Sequence, residues 1–151
     1  MKKENIKFFI KKLSIEEIED FLKLNDNDFF ESLSSRVNIQ EYSQKLHKNA
    51  THFTLYDNNK LVGFSPCYFN DEAKDIVYIS SLTIRKGYRG LGFGSELIKY
   101  IKKHANKNGF LNIVVSVHCD NKISINFYKK NSFNLLDKNN ETKVCSLKYK
   151  G

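Results

Sequence analysis

Tryptophan is absent from this chain of 151 residues, proline and methionine occur once each, and there are three cysteines. With one proline and no serine/glycine-rich or repetitive tract, there is no sign of a linker. Residues 1–151 are therefore expected to form a single domain, able to bury about two thirds of its unfolded surface. Cys67, Cys119 and Cys145 are odd in number, far apart and without zinc or redox spacing. That argues against a disulfide framework and for reduced thiols in a cytoplasmic protein. Long apolar runs are also lacking: Ile6 to Ile10 is interrupted by Lys7, too short for a secretion signal or a membrane span. No His/Cys/Asp/Glu group has metal-site spacing, so no metal is expected.

What is present fits a globular protein: 40% hydrophobic residues, 13% of all residues being aromatic. The formal charge of +8 suggests an anionic ligand or substrate. The lysines are scattered and build no basic block, so neither nucleic acid nor a membrane is expected as partner.

The pattern of elements is mixed. Asn5 to Lys12 can open as a strand. Ser14 followed by Glu17 is a capping-box pattern ahead of "IEEIEDFLKL", and Asn38 with Glu41 repeats it ahead of "EYSQKLHKN". "HFTLYDNNKLVGFSPCYFND" looks like a hairpin turning at Asp57-Asn58-Asn59, with Pro66 marking an edge, a bulge or a strand end. "DIVYISSLTI" is expected as one strand. From Ser95, Leu97, Ile98, Ile101 and Ala105 share a helical face, and Gly109 is a natural stop. "FLNIVVSV" predicts a central strand, Asn121 a cap for "KISINFYKKN", and "ETKVCSLKY" a closing strand. The expected order is β-α-α-β-β-β-α-β-α-β, a mixed α/β domain.

Three of the seven glycines, Gly90, Gly92 and Gly94, fall between the strand "DIVYISSLTI" and the long helix. Unpaired amides at a helix start converge on an anion, so a strand–glycine turn–helix is a place to hold phosphate. The Walker pattern fails because Phe93 stands where lysine should follow Gly92, and a dinucleotide fingerprint would need its third glycine at Ser95.

The spacing that fits is Arg/Gln-x-x-Gly-x-Gly/Ala, realised as Arg89, Gly92 and Gly94. Here the chain resembles the GNAT acetyltransferase superfamily. "DNKISINFYKKNSF" looks like that family's Asn-x-x-Ala-x-x-x-Tyr helix ending in Gly-Phe, and the early helices and hairpin agree. The resemblance implies a central, mostly antiparallel twisted sheet flanked by helices, with two central strands splayed apart. It implies acetyl-CoA as acyl donor, with its pyrophosphate on the amides from Arg89 through Gly90, Leu91, Gly92, Phe93 and Gly94 to Ser95. The pantetheine arm would pair along Leu82, Thr83 and Ile84, with an N–H near Leu82 facing the thioester oxygen. Asn121 and Ser124 match positions lining the arm, and Tyr128 matches the tyrosine that protonates the coenzyme sulfur. Taken by itself, Tyr128 also suits a core aromatic, and Asn121 a helix cap.

The chain departs from the family at two places. Tyr78 and Ser80 stand where relatives often carry a Glu or His base, and neither is a good base near neutral pH. His118 is the best titratable alternative; beside Cys119 and Asp120 it also suits a solvated strand end. Ser132 replaces the glycine usual before Phe133, so that turn is expected to be less strained or differently shaped. His47, His52 and His104 read as surface or packing residues. Phe29, Phe30, Arg36, Tyr56, Tyr68 and Tyr78 are candidates to line the acceptor site, and the basic balance hints at an anionic acceptor. The expected activity is acetyl transfer to a primary amine of a small molecule or peptide by direct attack, in a monomer or homodimer. A catalytically idle module that binds coenzyme A or a partner protein is the alternative, and a nucleic-acid-binding domain a third.

Overall fold

Residues 3–151 are described by a computed structural model. β1 (Ile6–Ile10) leads to α1 (Ile15–Leu24), and two short 3₁₀ turns precede α2 (Ile39–Asn49). The capping box is complete: the Ser14 hydroxyl accepts the Glu17 N–H at 3.1 Å, and the Glu17 carboxylate accepts the Ser14 N–H at 3.0 Å. Asn38 caps α2 by accepting the Glu41 N–H at 3.0 Å. β2 (Thr51–Asp57) and β3 (Lys60–Tyr68) form the expected hairpin, with Asn58 in the left-handed region at φ 53°.

β4 (Ile76–Ile79), β5 (Thr83–Ile84), α3 (Phe93–Lys107), β6 (Asn112–His118), α4 (Lys122–Lys130), β7 (Asn134–Asn139) and β8 (Val144–Lys150) complete the order. The sheet runs β1-β2-β3-β4-β6-β8-β7, with β5 placed beside β3. β4 and β6 are parallel, and every other pairing described is antiparallel. This is the mixed, mostly antiparallel α/β architecture that the sequence implied.

Two apolar clusters hold the layers together. Phe53 and Leu55 of β2 join Leu97, Ile98, Ile101 and Ala105 of α3 and Ile125 and Tyr128 of α4. Leu13, Ile18, Phe21 and Leu22 around α1 join Leu46 of α2 and Phe64. Alternation along β2 turns His52 to the side opposite Phe53. There its Nδ1 accepts the Leu13 N–H at 2.9 Å and its Nε2 donates to the Leu46 carbonyl at 2.8 Å. His52 is thus a packing residue, as expected.

Three details differ from the sequence reading. The strand expected over "DIVYISSLTI" is two strands, β4 and β5, with Ser80, Ser81 and Leu82 between them. Pro66 accounts for the break. Its carbonyl accepts the Ser80 N–H at 3.0 Å, so the nitrogen of the same residue faces the same side and has no proton to give. A continuous ladder cannot form opposite it. The second difference is β7, which pairs with β8 where a loop was expected, leaving the closing strand to begin at Val144. The third is the turn after α4. Ser132 has φ 72°, the Phe133 N–H reaches the Tyr128 carbonyl at 3.0 Å, and the left-handed turn is kept despite the serine.

Candidate active site

The break between β4 and β5 opens the sheet. β4 pairs with β6 only from Ile76↔Asn112 to Ile79↔Val115. Beyond that point β5 leans on β3 through Gly63↔Ile84 and Phe64↔Thr83, while Ser116 to His118 pair with β8 alone. The two central strands diverge, and a cavity of about 440 Å³ fills the gap.

Leu82 forms one wall. The Arg85 N–H donates to the Val62 carbonyl at 2.7 Å, and Ile84 lies opposite Gly63. Alternation along β5 turns the Thr83 and Arg85 N–H groups toward β3, and Leu82, the residue just before the strand, lies in the break and lines the cavity. The Ser65 hydroxyl donates to the Ser81 carbonyl at 2.7 Å and so pins the interruption.

Tyr128 forms the opposite wall, 5% exposed, its ring packed edge-on against Phe127 and Phe133. Burial holds its phenol well above the usual tyrosine range, with nearby Cys67 adding to the effect, so the hydroxyl stays protonated. Asn121 and Ser124 line the cavity from the start of α4. Asn121 is also the expected cap, accepting the Ser124 N–H at 3.2 Å while its amide donates to the Ser124 hydroxyl at 2.9 Å.

The glycine loop lies between β5 and α3. Gly90 and Gly92 have φ of 73° and 86°, the left-handed region that glycine tolerates. Gly94 serves a different purpose. A Cβ there would stand 3.1 Å from the Phe127 ring, so this glycine lets α4 approach α3. No side chain caps α3, whose N-cap is Gly92. The amides of Gly90 through Gly94 have no backbone acceptor outside regular structure among the described residues. Arg89 is a strut: its Nε donates to the Ile84 carbonyl at 2.8 Å, and its guanidinium pairs with Asp28 at 3.0 Å. Leu91 is exposed, Phe93 is buried, and the Ser95 hydroxyl accepts from the Asn131 amide at 3.2 Å. Thr83 and Ile84 are buried in β5.

On the far side stand Phe29, Phe30, Glu31 and Arg36, from the segment between α1 and α2, together with Tyr78 and Ser80. Tyr56 and Tyr68, also expected there, do not line the cavity. Tyr56 packs edge-on against Phe9, and Tyr68 joins the cluster under α1 and α2. The Ser80 hydroxyl shares a 2.5 Å hydrogen bond with Tyr42. His118 faces the cavity, but its Nδ1 accepts the Asp120 N–H at 3.1 Å. The neutral ring then carries its proton on Nε2, which faces Glu31 at 3.4 Å. Glu31, Ser81, Ser116, Thr142 and Val144 are lining residues that the sequence reading missed. Glu31 sits in an irregular segment with no motif, and Thr142 and Val144 reach the cavity only because β7 and β8 form a hairpin.

The cysteines offer no acyl carrier. All three are buried and free, and burial pushes the Cys67 thiol up to about 12. A hydrogen bond with Cys145, then burial, raises Cys119.

Residues 16–133 match the family model described as the acetyltransferase (GNAT) family. The chain belongs to this family. The probable N-acetyltransferase san of Drosophila melanogaster is 36% identical over 84 residues, which are 54% of this chain and 46% of that protein. The matched stretch thus spans less than half of that relative's length. Solved structures share the GNAT fold. The PaiA N-acetyltransferase of Thermoplasma acidophilum in complex with coenzyme A superposes with a TM-score of 0.76 at 20% identity, over 97% of this chain and 99% of that one. Arabidopsis thaliana Naa50, in complex with the bisubstrate analogue CoA-Ac-MVNAL, gives 0.74 at 24% identity, over 97% and 99% of the two chains. No helix among the described residues is long and apolar enough to cross a membrane.

Proposed function

We propose that this GNAT chain binds acetyl-CoA in the gap between β5 and β6 and transfers the acetyl group to a primary amine by direct attack. The observation that carries the reading is the break opposite Pro66, which opens the sheet and leaves Leu82 on the wall of a cavity between the diverging strands. The relatives named above, two of them with coenzyme A or its conjugate, support it.

The residues present suit the donor. Amides of the loop from Gly90 to Ser95, at the positive end of α3, would hold the pyrophosphate. Backbone groups of Leu82, Thr83 and Ile84 would receive the pantetheine arm, with Asn121 and Ser124 on its other side. Bound there, the thioester supplies an activated acyl carbon. The Leu82 N–H stabilises charge developing on the carbonyl oxygen. As the amine nitrogen bonds to that carbon and the C–S bond breaks, the Tyr128 hydroxyl gives hydrogen-bond support and a proton to sulfur. The amine loses one proton before it attacks and a second from the same nitrogen as the amide forms; the second restores the proton that Tyr128 gave to sulfur, and the first leaves for solvent. Tyr78, His118 and Glu31 line the acceptor side, and water among them can carry that proton outward. With its cysteines buried and the Cys67 thiol held protonated, the chain has no thiolate suited to a covalent acyl intermediate.

One arrangement favours the idle coenzyme-binding alternative: the lone pair on His118 Nδ1 is already engaged by the Asp120 N–H, and no carboxylate replaces Tyr78 or Ser80. Calorimetry with acetyl-CoA, followed by release of free thiol against a panel of amines, separates the readings. Binding with amine-dependent thiol release is the expected result. Binding without release under any amine would establish the idle module, and failure to bind acetyl-CoA would overturn both.

A further inference from the structure

The acceptor side of the cavity carries opposite charges at separate points. Glu31 is the carboxylate among the lining residues, and Arg36 is the arginine. Glu31 faces His118 Nε2 at 3.4 Å. Arg36 has no carboxylate within ion-pair distance among the described residues. Its guanidinium lies 5.9 Å from the centre of the Phe29 ring. A guanidinium held over an aromatic face keeps its N–H edge available, and that edge matches a carboxylate or phosphate with two parallel hydrogen bonds. Arg89 offers a contrast within the same region, since it already pairs with a carboxylate, that of Asp28, and donates to the Ile84 carbonyl.

We propose that the acceptor is a small primary amine carrying its own acid group, the ammonium meeting Glu31 and the acid meeting Arg36. This rests on the acetyltransferase reading above. An amine without an acid group would satisfy Glu31 and leave the exposed Arg36 to water, forgoing the charge-assisted pair that an acid-bearing amine makes. An acid without an amine would meet Glu31 as a like charge. Only a molecule bearing both signs answers both side chains. Size points the same way, since a cavity of about 440 Å³ must also take the reactive end of the donor. On the acetyltransferase reading the loop at the start of α3 takes the coenzyme pyrophosphate, which leaves Arg36 for the acceptor.

The test compares matched pairs differing in the acid alone: β-alanine with its amide, phosphoethanolamine with ethanolamine, and a peptide beginning with aspartate with its side-chain amide. Each is titrated calorimetrically into protein saturated with coenzyme A and is assayed separately for acetylation with acetyl-CoA. A charge-assisted arginine pair predicts that the small acid-bearing member binds about tenfold or more tightly than its partner. In Arg36→Gln that ratio should fall to near one, whereas Glu31→Gln should weaken both members alike. No preference in the unaltered protein, a ratio unchanged in Arg36→Gln, or a preference confined to the peptide pair would overturn the proposal. So would a loss of acetyl-CoA affinity in Arg36→Gln, which would assign Arg36 to the donor. Acid-selective binding without acetyl transfer would sink only the acetyltransferase reading; acetylation without acid selectivity would sink only this one.

Discussion

Tyr128 couples packing to chemistry in one side chain. Its ring packs between Phe127 and Phe133 at the cavity wall, and its hydroxyl stays protonated because burial disfavours the phenolate. Tyr128→Phe keeps the ring and deletes the donor. If the hydroxyl assists thiolate departure, kcat should fall roughly 10²–10⁴-fold with little change in acetyl-CoA affinity. Steady-state kinetics with calorimetry and a melting curve would show it; an unaltered kcat would leave Tyr128 a packing residue. Gly94 makes a second case. Both motif glycines invite the expectation that a side chain would block phosphate, but at Gly94 the first obstacle is the Phe127 ring, 3.1 Å from a built Cβ. Gly94→Ala should therefore destabilise the fold by about 1–3 kcal/mol through overpacking. Trimming the ring with Phe127→Leu should recover part of that loss in denaturant melts, and strictly additive losses would rule out the contact.

At the scale of elements, the turn joining α4 to β7 is under local strain. Ser132 occupies φ 72°, a conformation that disfavours any side chain with a Cβ. The Phe133 N–H to Tyr128 carbonyl bond closes the turn, tying the residue after it back to Tyr128 at the cavity wall. Ser132→Gly removes the clash and restores flexibility to the unfolded chain, two opposing effects. The net expectation is a gain of up to about 1 kcal/mol. Equilibrium unfolding decides this, and a loss of stability would mean that the serine is not strained. Arg89 works at the same scale. Through Ile84 and Asp28 it joins the end of β5 to the segment after α1, so the glycine loop and the segment before α2 share a brace.

Across the whole molecule, His52 sets a pH limit. It bridges β2, the start of α1 and the end of α2 as a neutral ring whose two nitrogens are both occupied. Burial lowers its pKa, and burial also lowers that of His104. The unfolded chain takes up these protons near pH 6.5, whereas the folded chain resists them until lower pH. Their contribution to stability is therefore complete above about pH 6.5 and is lost as pH falls toward the folded-state values. Each histidine can steepen the decline by at most about 1.4 kcal/mol per pH unit. Urea midpoints measured from pH 7.5 down to 5 should fall, and less steeply in His52→Gln. Midpoints that stay flat would exclude a neutral buried histidine.

Local signals were legible without coordinates because their chemistry is local. Ser14–Glu17, Asn38–Glu41 and Asn121–Ser124 close hydrogen bonds within one helical turn, and α3 shows its buried face in Leu97, Ile98, Ile101 and Ala105. The Arg89–Gly92–Gly94 spacing pointed to the family for the same reason. What required the folded chain was every feature made across the sheet. β7 is exposed at all six residues and has no buried face to read; only hydrogen bonding to β8 makes it a strand. Pro66 was visible as an obstacle, but which strand it obstructs follows from register, and register sets the break before β5 and the gap beside β6. Glu31 and Arg36 reach that gap from a segment without periodicity, so their meeting with His118 and Tyr78 is a property of packing. Backbone geometry over a few residues is encoded nearby in the chain, whereas a cavity between diverging strands exists only once distant residues have paired.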